Sequence, residues 1–219
     1  MHKSNHFLLS LILKKGVLGF IFLFSVSILS AQTQMNTSEA SSLKTLVKKQ
    51  AAITKTVTSD FVQYKHLDFL SNDIKSTGKL AFKTPDKIKW EYTTPFKYTA
   101  LFKNKTLYIN DNGNKNSIDL GSNKIFTQLN QLITASIKGD MFNNQEFDIS
   151  YYKNGATSEV HFMPKDQKFS EFIKAFHITF SSKGEVQEVK MIEPSDDYTQ
   201  IVFSNRTINE SLPDAIFAQ

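Results

Sequence analysis

Residues 76–95 read Ser-Thr-Gly-Lys-Leu-Ala-Phe-Lys-Thr-Pro-Asp-Lys-Ile-Lys-Trp-Glu-Tyr-Thr-Thr-Pro. Apolar side chains fall on every second position, Leu80 and Phe82 before Thr84-Pro85-Asp86, then Ile88, Trp90 and Tyr92 after it. A period of two sends alternate side chains to opposite faces, so the stretch predicts strands over 75–83 and 87–93 joined by a proline turn. The same alternation extends in both directions. Upstream, Val57, Ser59, Phe61 and Gln63 alternate with Thr58, Asp60, Val62 and Tyr64. Downstream, Thr94-Pro95 and then Asn110-Asp111-Asn112-Gly113 bracket strands predicted at 97–103 and 105–110. Short separators between strands give an antiparallel meander.

Outside this block the period changes. Leu43, Leu46, Val47, Ala51 and Ile53 predict an amphipathic helix over 39–54, with Thr37 or Ser38 as its N-cap. A second helix is predicted between Ser122 and Ala135, with Ile125, Phe126, Leu129, Leu132 and Ile133 on one face and Gly139 as its stop. Strands return at 147–153, 157–163, 174–181, 185–193 and 198–207, with Ser182-Lys183-Gly184 and Ser195-Asp196-Asp197 as hairpin turns, and residues 212–217 read as one helical turn. About ten strands and two substantial helices predict a mainly β (α+β) chain: one large, curved antiparallel sheet partly covered by helices. Two helices cover less of an inner face than a second sheet would, so an apolar cavity is expected beneath them.

Composition narrows the function classes. The 219 residues carry a formal charge of +5, but the first 31 hold three lysines and no acid, which leaves the rest at +2 without a basic block. That is no nucleic-acid footprint. There is no cysteine, which excludes disulfides, thiolate metal sites and cysteine nucleophiles. Val17–Leu29 is nearly unbroken in apolar character and is followed by Ser30-Ala31-Gln32. This predicts a secretory signal peptide over 1–31, cleaved after Ala31, and one mature domain over 32–219. The apolar run is shorter than the ~20 residues of a membrane span.

Catalytic signatures are missing from the sequence. His66, His161 and His177 are far apart and without the i, i+2 or i, i+4 companions that metal sites use, so no metal site is expected. Asp196-Asp197 reads as a solvated turn rather than an acid/base pair, and no P-loop, dinucleotide or G-x-S-x-G motif occurs. The expected protein is not an enzyme and uses no cofactor. Its positive signal is 19 phenylalanines, many of them in candidate strands. Aromatic, weakly polar concavities suit acyl chains, each buried CH₂ being worth ~0.8 kcal/mol.

Ser-Asp-Phe-Val-Gln at 59–63, the 76–95 stretch and Lys-Asn-Lys-Thr-Leu-Tyr-Ile at 103–109 together resemble the LolA family of periplasmic carriers for outer-membrane lipoproteins. The resemblance rests on Phe61 and Gln63, Gly78 and Leu80, Pro85, Trp90 and Pro95, and Lys105-Thr106-Leu107, in that order and spacing. It implies an unclosed half-barrel lidded by helices over an apolar cavity. It also implies that a monomer receives the acyl chains of a lipoprotein from an inner-membrane ABC transporter and passes them to an outer-membrane acceptor. Phe61, Leu80, Phe82, Ile88, Trp90, Tyr92, Leu107, Ile109, Phe126, Leu129 and Ile133 are then the residues expected to line the cavity.

Three positions depart from the family pattern. Thr84 stands where well-studied members have an arginine that latches the lid, and the sole arginine, Arg206, is distant in sequence. Ile88 replaces a phenylalanine involved in meeting the transporter, and the sequence ends shortly after Phe217, where those carriers have a further tail that contributes to directional transfer. The missing arginine and tail motivate an alternative cargo, such as a glycolipid or an acylated pigment precursor. A lipoprotein-sensing regulator is a further reading, and a lipid hydrolase lacks a visible nucleophile and base.

Overall fold

The computed structural model describes residues 32–119 and 139–218. Its frame is one twelve-stranded antiparallel sheet. In chain order the strands are β1 (Thr33–Gln34), β2 (Thr56–His66), β3 (Ile74–Lys83), β4 (Lys87–Thr94), β5 (Tyr98–Lys103), β6 (Thr106–Asp111), β7 (Asn114–Asp119), β8 (Phe147–Asn154), β9 (Thr157–Pro164), β10 (Ala175–Phe180), β11 (Val186–Ile192) and β12 (Tyr198–Ile208). The spatial order is β1-β8-β9-β10-β11-β12-β2-β3-β4-β5-β6-β7, so the two edges β1 and β7 are not paired to each other and the sheet is not closed. All ten expected strands are present. The polar edge strands β1 and β7 were not anticipated.

The β2–β7 half is the meander of the opening stretch. Leu80 stands opposite both Ser59 and Trp90, and Phe82 opposite both Val57 and Ile88, so the alternation continues in register across β2, β3 and β4. The halves join where β12 pairs with β2, placing Phe203 against Phe61 and Ile201 against Gln63.

Helix α1 (Thr37–Ile53) precedes the sheet proper. Its N-cap is Asn36, not Thr37 or Ser38: the Asn36 side chain accepts from the Glu39 N–H at 3.0 Å while the Glu39 carboxylate accepts from the Asn36 N–H at 2.9 Å. Asparagine followed three residues later by glutamate completes this reciprocal box, which satisfies two helix-end donors and outweighs the hydroxyls one and two positions on. Leu43 and Val47 are buried as expected, whereas Ile53 at the last turn is 56% exposed. A four-residue helix, α2 (Gln167–Ser170), caps on Asp166, and a 3₁₀ turn at Asp214–Phe217 ends the described chain where a helical turn was expected. The helix predicted between 122 and 135 lies outside the described residues, as does the predicted signal peptide.

Three apolar clusters organise the packing. On the inner face, Leu43 and Val47 of α1 and Phe169 of α2 pack with Phe147, Val160, Phe162, Phe176, Ile178 and Phe180 of β8–β10. A second inner cluster, Phe61, Leu80, Phe82, Ile88, Phe102 and Leu107, belongs to β2–β6. On the outer face, Phe217 seats its fully buried ring on Ala81 and Leu101. Lys83 and Lys87 both reach Asp214 of the same turn, at 3.0 and 2.9 Å.

Candidate functional site: an apolar cavity on the inner face

Between the two inner clusters lies a cavity of about 360 Å³. That volume is at the lower end of the ~300–1,000 Å³ range of small-molecule pockets. Its walls come from three sources. The meander contributes Leu80, Phe82, Trp90, Tyr92, Ala100 and Phe102; β10–β12 contribute Phe176, Ile178, Met191, Ile201 and Phe203; α1 contributes Val47, Gln50 and Ala51, and Thr54 follows as its C-cap. Four of the expected residues, Leu80, Phe82, Trp90 and Tyr92, therefore face this space.

Phe61, Ile88, Leu107 and Ile109 take a different place: they pack into the second cluster behind the wall. Phe61 is 1% exposed and meets Trp90 and Tyr92 edge-on, with ring centroids 5.1 and 5.0 Å away. It sets the angle of both wall aromatics. Ile88 is equally buried, opposite Phe82 and Phe102 on its neighbouring strands. The expected wall residues Phe126, Leu129 and Ile133 lie outside the described residues.

Among the described residues, the polar lining consists of Gln50, Thr54, Gln63, Glu185, Thr199 and Arg206, with the Tyr92 and Tyr98 hydroxyls. The Tyr92 hydroxyl donates to Gln63 Oε1 at 2.8 Å, and burial raises its pKa, with the neighbouring Tyr98 adding to the shift. The Thr54 hydroxyl donates to the Gln50 carbonyl at 2.8 Å, closing the last turn of α1. Arg206 is the cation among them. Its guanidinium sits in the cavity wall, donates to the Val186 carbonyl and lies over Phe203, 5.8 Å from the ring centroid. Burial lowers its pKa, Glu185 opposes that shift, and no carboxylate among the described residues forms an ion pair with it. Sequence distance hid this residue. The alternation of Thr199, Ile201 and Phe203 along β12 pointed inward, but a register shift between Ser204 and Thr207 puts Arg206 on the same wall.

The remaining chemistry-bearing candidates lie elsewhere. Asp197 accepts from the Asp68 N–H at 2.8 Å, and Asp196 turns away to Lys174, so the adjacent acids diverge as a turn should. His66 lies 2.8 Å from Asp73 and stacks on Tyr198. His161 and His177, expected to be separate, are face to face on the outer surface beside Glu159. Burial chiefly, with His161 and Lys190 nearby, pushes the His177 pKa down to about 4 against the opposing pull of Glu159.

A family model described as outer membrane lipoprotein carrier protein LolA matches residues 52–219. The chain belongs to the LolA family. A lipoprotein carrier of this name from Nitrosomonas europaea is 22% identical over 202 residues, covering 90% of this chain and 92% of its own. Another, from Chromobacterium violaceum, is 28% identical over 170 residues, covering 75% and 76%. Among solved structures, a LolA superfamily protein from Nitrosomonas europaea is similar at a TM-score of 0.45 and 10% identity, covering 81% of this chain and 97% of that one. LolA-family carriers are non-enzymatic binding proteins.

Proposed function

We propose that this protein is a periplasmic, monomeric carrier that shelters the acyl chain of a lipoprotein in the inner-face cavity. In this reading it receives its cargo from an inner-membrane ABC transporter and releases it to an outer-membrane acceptor, without catalysis or cofactor. Residues 1–31 act as the export signal and 32–219 as the carrier domain. The observation that supports this most directly is the 360 Å³ cavity, walled by aromatic and aliphatic side chains from both halves of the sheet. Such a wall binds by removing apolar surface from water and needs no directional bond to the chain, so it is compatible with handing the same chain onward.

The sole tryptophan provides the test. Trp90 lies in the cavity wall, so an entering acyl chain replaces water around the indole. Titration with a palmitoylated peptide is expected to shift Trp90 emission to the blue and to saturate, while the same peptide without its acyl chain does neither. A flat titration with the acylated peptide refutes the carrier reading.

Arg206 favours a second reading of the cargo. A half-buried cation that forms no ion pair among the described residues, although Glu185 of the same wall partly offsets its burial, is a costly feature in a wall that only needs to be apolar. It would suit a lipid with an anionic or carbonyl-rich group near its chain, such as a glycolipid or an acylated pigment precursor. Mass spectrometry of lipid co-purified from the native envelope separates the two readings by headgroup.

A further inference from the structure

On the outer face of the sheet, opposite the cavity wall, β9 and β10 assemble a group that the carrier function does not use. Glu159 and His161 are two residues apart on β9, so they share a face, and Val160 between them points into the inner cluster. The ladder then pairs His161 directly with His177, and Glu159 with Thr179. The two imidazoles stack with centroids 3.5 Å apart and planes 7° apart. Glu159 Oε1 lies 2.7 Å from His161 Nε2 and 3.6 Å from His177 Nδ1. One donor atom from each of the three residues lies within 4.8 Å of the others.

We propose that Glu159, His161 and His177 form a metal site for a borderline divalent cation of the Zn²⁺ class. Two imidazole nitrogens and one carboxylate oxygen are a donor set such ions take, with the remaining position left to water. The site also has supporting contacts. The Gln32 side-chain amide donates to Glu159 Oε2 at 3.0 Å, leaving Oε1 aimed at the histidines, and the Tyr152 ring packs against His161 at 4.6 Å. Outer contacts of this kind orient metal ligands and strengthen their binding.

The geometry also shows what must move. Both lone pairs converge on one ion only when the stacked rings open from their near-parallel 7°, a side-chain rotation that leaves the ladder in place. The side chains are 20–26% exposed, so the ion has a direct approach from solvent. Lys190 stands opposite His177 in the ladder and opposes a cation, but its ammonium is drawn 3.7 Å over the Tyr198 ring. Glu188 stands opposite Thr179, next in the row to Glu159, and contributes a second negative charge.

The test is calorimetric titration of tag-free, chelator-stripped protein with Zn²⁺ alone. One equivalent is expected to bind, and His161→Ala and His177→Ala are each expected to weaken binding at least tenfold. Glu159→Gln, which preserves side-chain shape, is expected to weaken it without changing the far-ultraviolet circular dichroism, and His66→Ala is expected to leave it unchanged. Absence of binding, or binding equal in wild type and in both histidine variants, overturns the proposal.

Discussion

Among the described glycines, Gly78 is the one at which an added methyl group meets the closest contacts. It lies on β3 between Phe61 of β2 and Tyr92 of β4. An ideal Cβ at this residue would stand 2.3 Å from the Glu91 carbonyl oxygen and 2.5 and 2.8 Å from two atoms of the Phe61 ring. Phe61 therefore lies across a gap that only glycine leaves, and through its edge-on contacts it positions Trp90 and Tyr92. Gly78→Ala must displace both a ring and a backbone oxygen. Overpacking of a close-packed core costs about 1–3 kcal/mol, and because one obstacle is backbone the upper half of that range is expected. Urea unfolding followed by circular dichroism measures the loss, and Trp90 emission in the folded protein should shift with it. Phe61→Leu removes the obstructing ring atoms but not the Glu91 oxygen. In the double variant the costs should therefore be less than additive by about 0.5–3 kcal/mol, the usual coupling of contacting residues. A Gly78→Ala protein within 0.5 kcal/mol of wild type, or strictly additive costs, refutes this account of the glycine.

Other expectations follow from single groups. The Tyr151 hydroxyl is buried with no hydrogen-bond partner among the described residues, and burial pushes its pKa up to about 12. Tyr151→Phe should hold stability constant or raise it by about 1 kcal/mol in urea unfolding, because an unsatisfied polar group is removed at constant shape; a loss above 1 kcal/mol would expose a hidden partner. Hydrogen bonds from Lys87 and Lys83 hold the Asp214 carboxyl at about 2, below its ordinary 3.8. A depressed pKa means this carboxylate stabilises the fold above about pH 4 and loses that contribution as pH falls through 2. Thermal melts of wild type and Asp214→Asn should accordingly converge between pH 4 and 2, and a constant difference would exclude the linkage. Arg206→Met should reduce affinity for an acyl probe bearing a carboxylate or phosphate by about tenfold, about 1.4 kcal/mol, while leaving a neutral acyl probe unaffected; equal losses for both probes would make Arg206 a packing residue only.

The strands that could be read from sequence are those with one buried face, since burial writes the period of two into the residues. β7, Asn-Lys-Asn-Ser-Ile-Asp, is almost wholly exposed and carries no such pattern. Its signal was the loop before it: Asn112 and Gly113 have φ of 48° and 101°, the two left-handed positions of a tight hairpin, which requires a strand on its far side. β1 is two exposed residues, too short for any period. For the cavity, alternation told which residues point inward but not which meet empty space. Trp90 and Ile88 share a face of β4, yet one faces the cavity and the other is closed over by Phe82 and Phe102. The Glu159, His161 and His177 cluster escaped because two of its members meet only through β9–β10 pairing. Glu159, two positions before His161, was a companion that a search for paired histidines overlooks.

The hollow itself is written in side-chain size rather than in strand order. Where the two inner clusters approach each other, short residues interrupt the large ones facing the gap: Ala51 on α1, Ala100 on β5, Val57 on β2, Val186 and Val189 on β11, and Gly184 in the preceding turn. Ala100 pairs directly with Trp90, so the largest side chain in the meander has a methyl group beside it where a leucine would fill the space. Gly184 has φ of +78°, and a Cβ there would come within 3.0 Å of Leu46, so the turn must stay small for α1 to lie over it. The most deeply buried large residues belong to the two flanking clusters, where Phe61, Phe82, Phe162 and Phe180 are each no more than 1% exposed. Stability thus comes from two packed halves, and the seam between them is left unfilled. Leu80, Phe82, Phe102, Phe176 and Ile178 belong to the packed clusters and to the wall at once, whereas Trp90, Tyr92, Met191 and Arg206 face the gap without being fully buried, so the wall can be retuned at these four positions with least disturbance to either half.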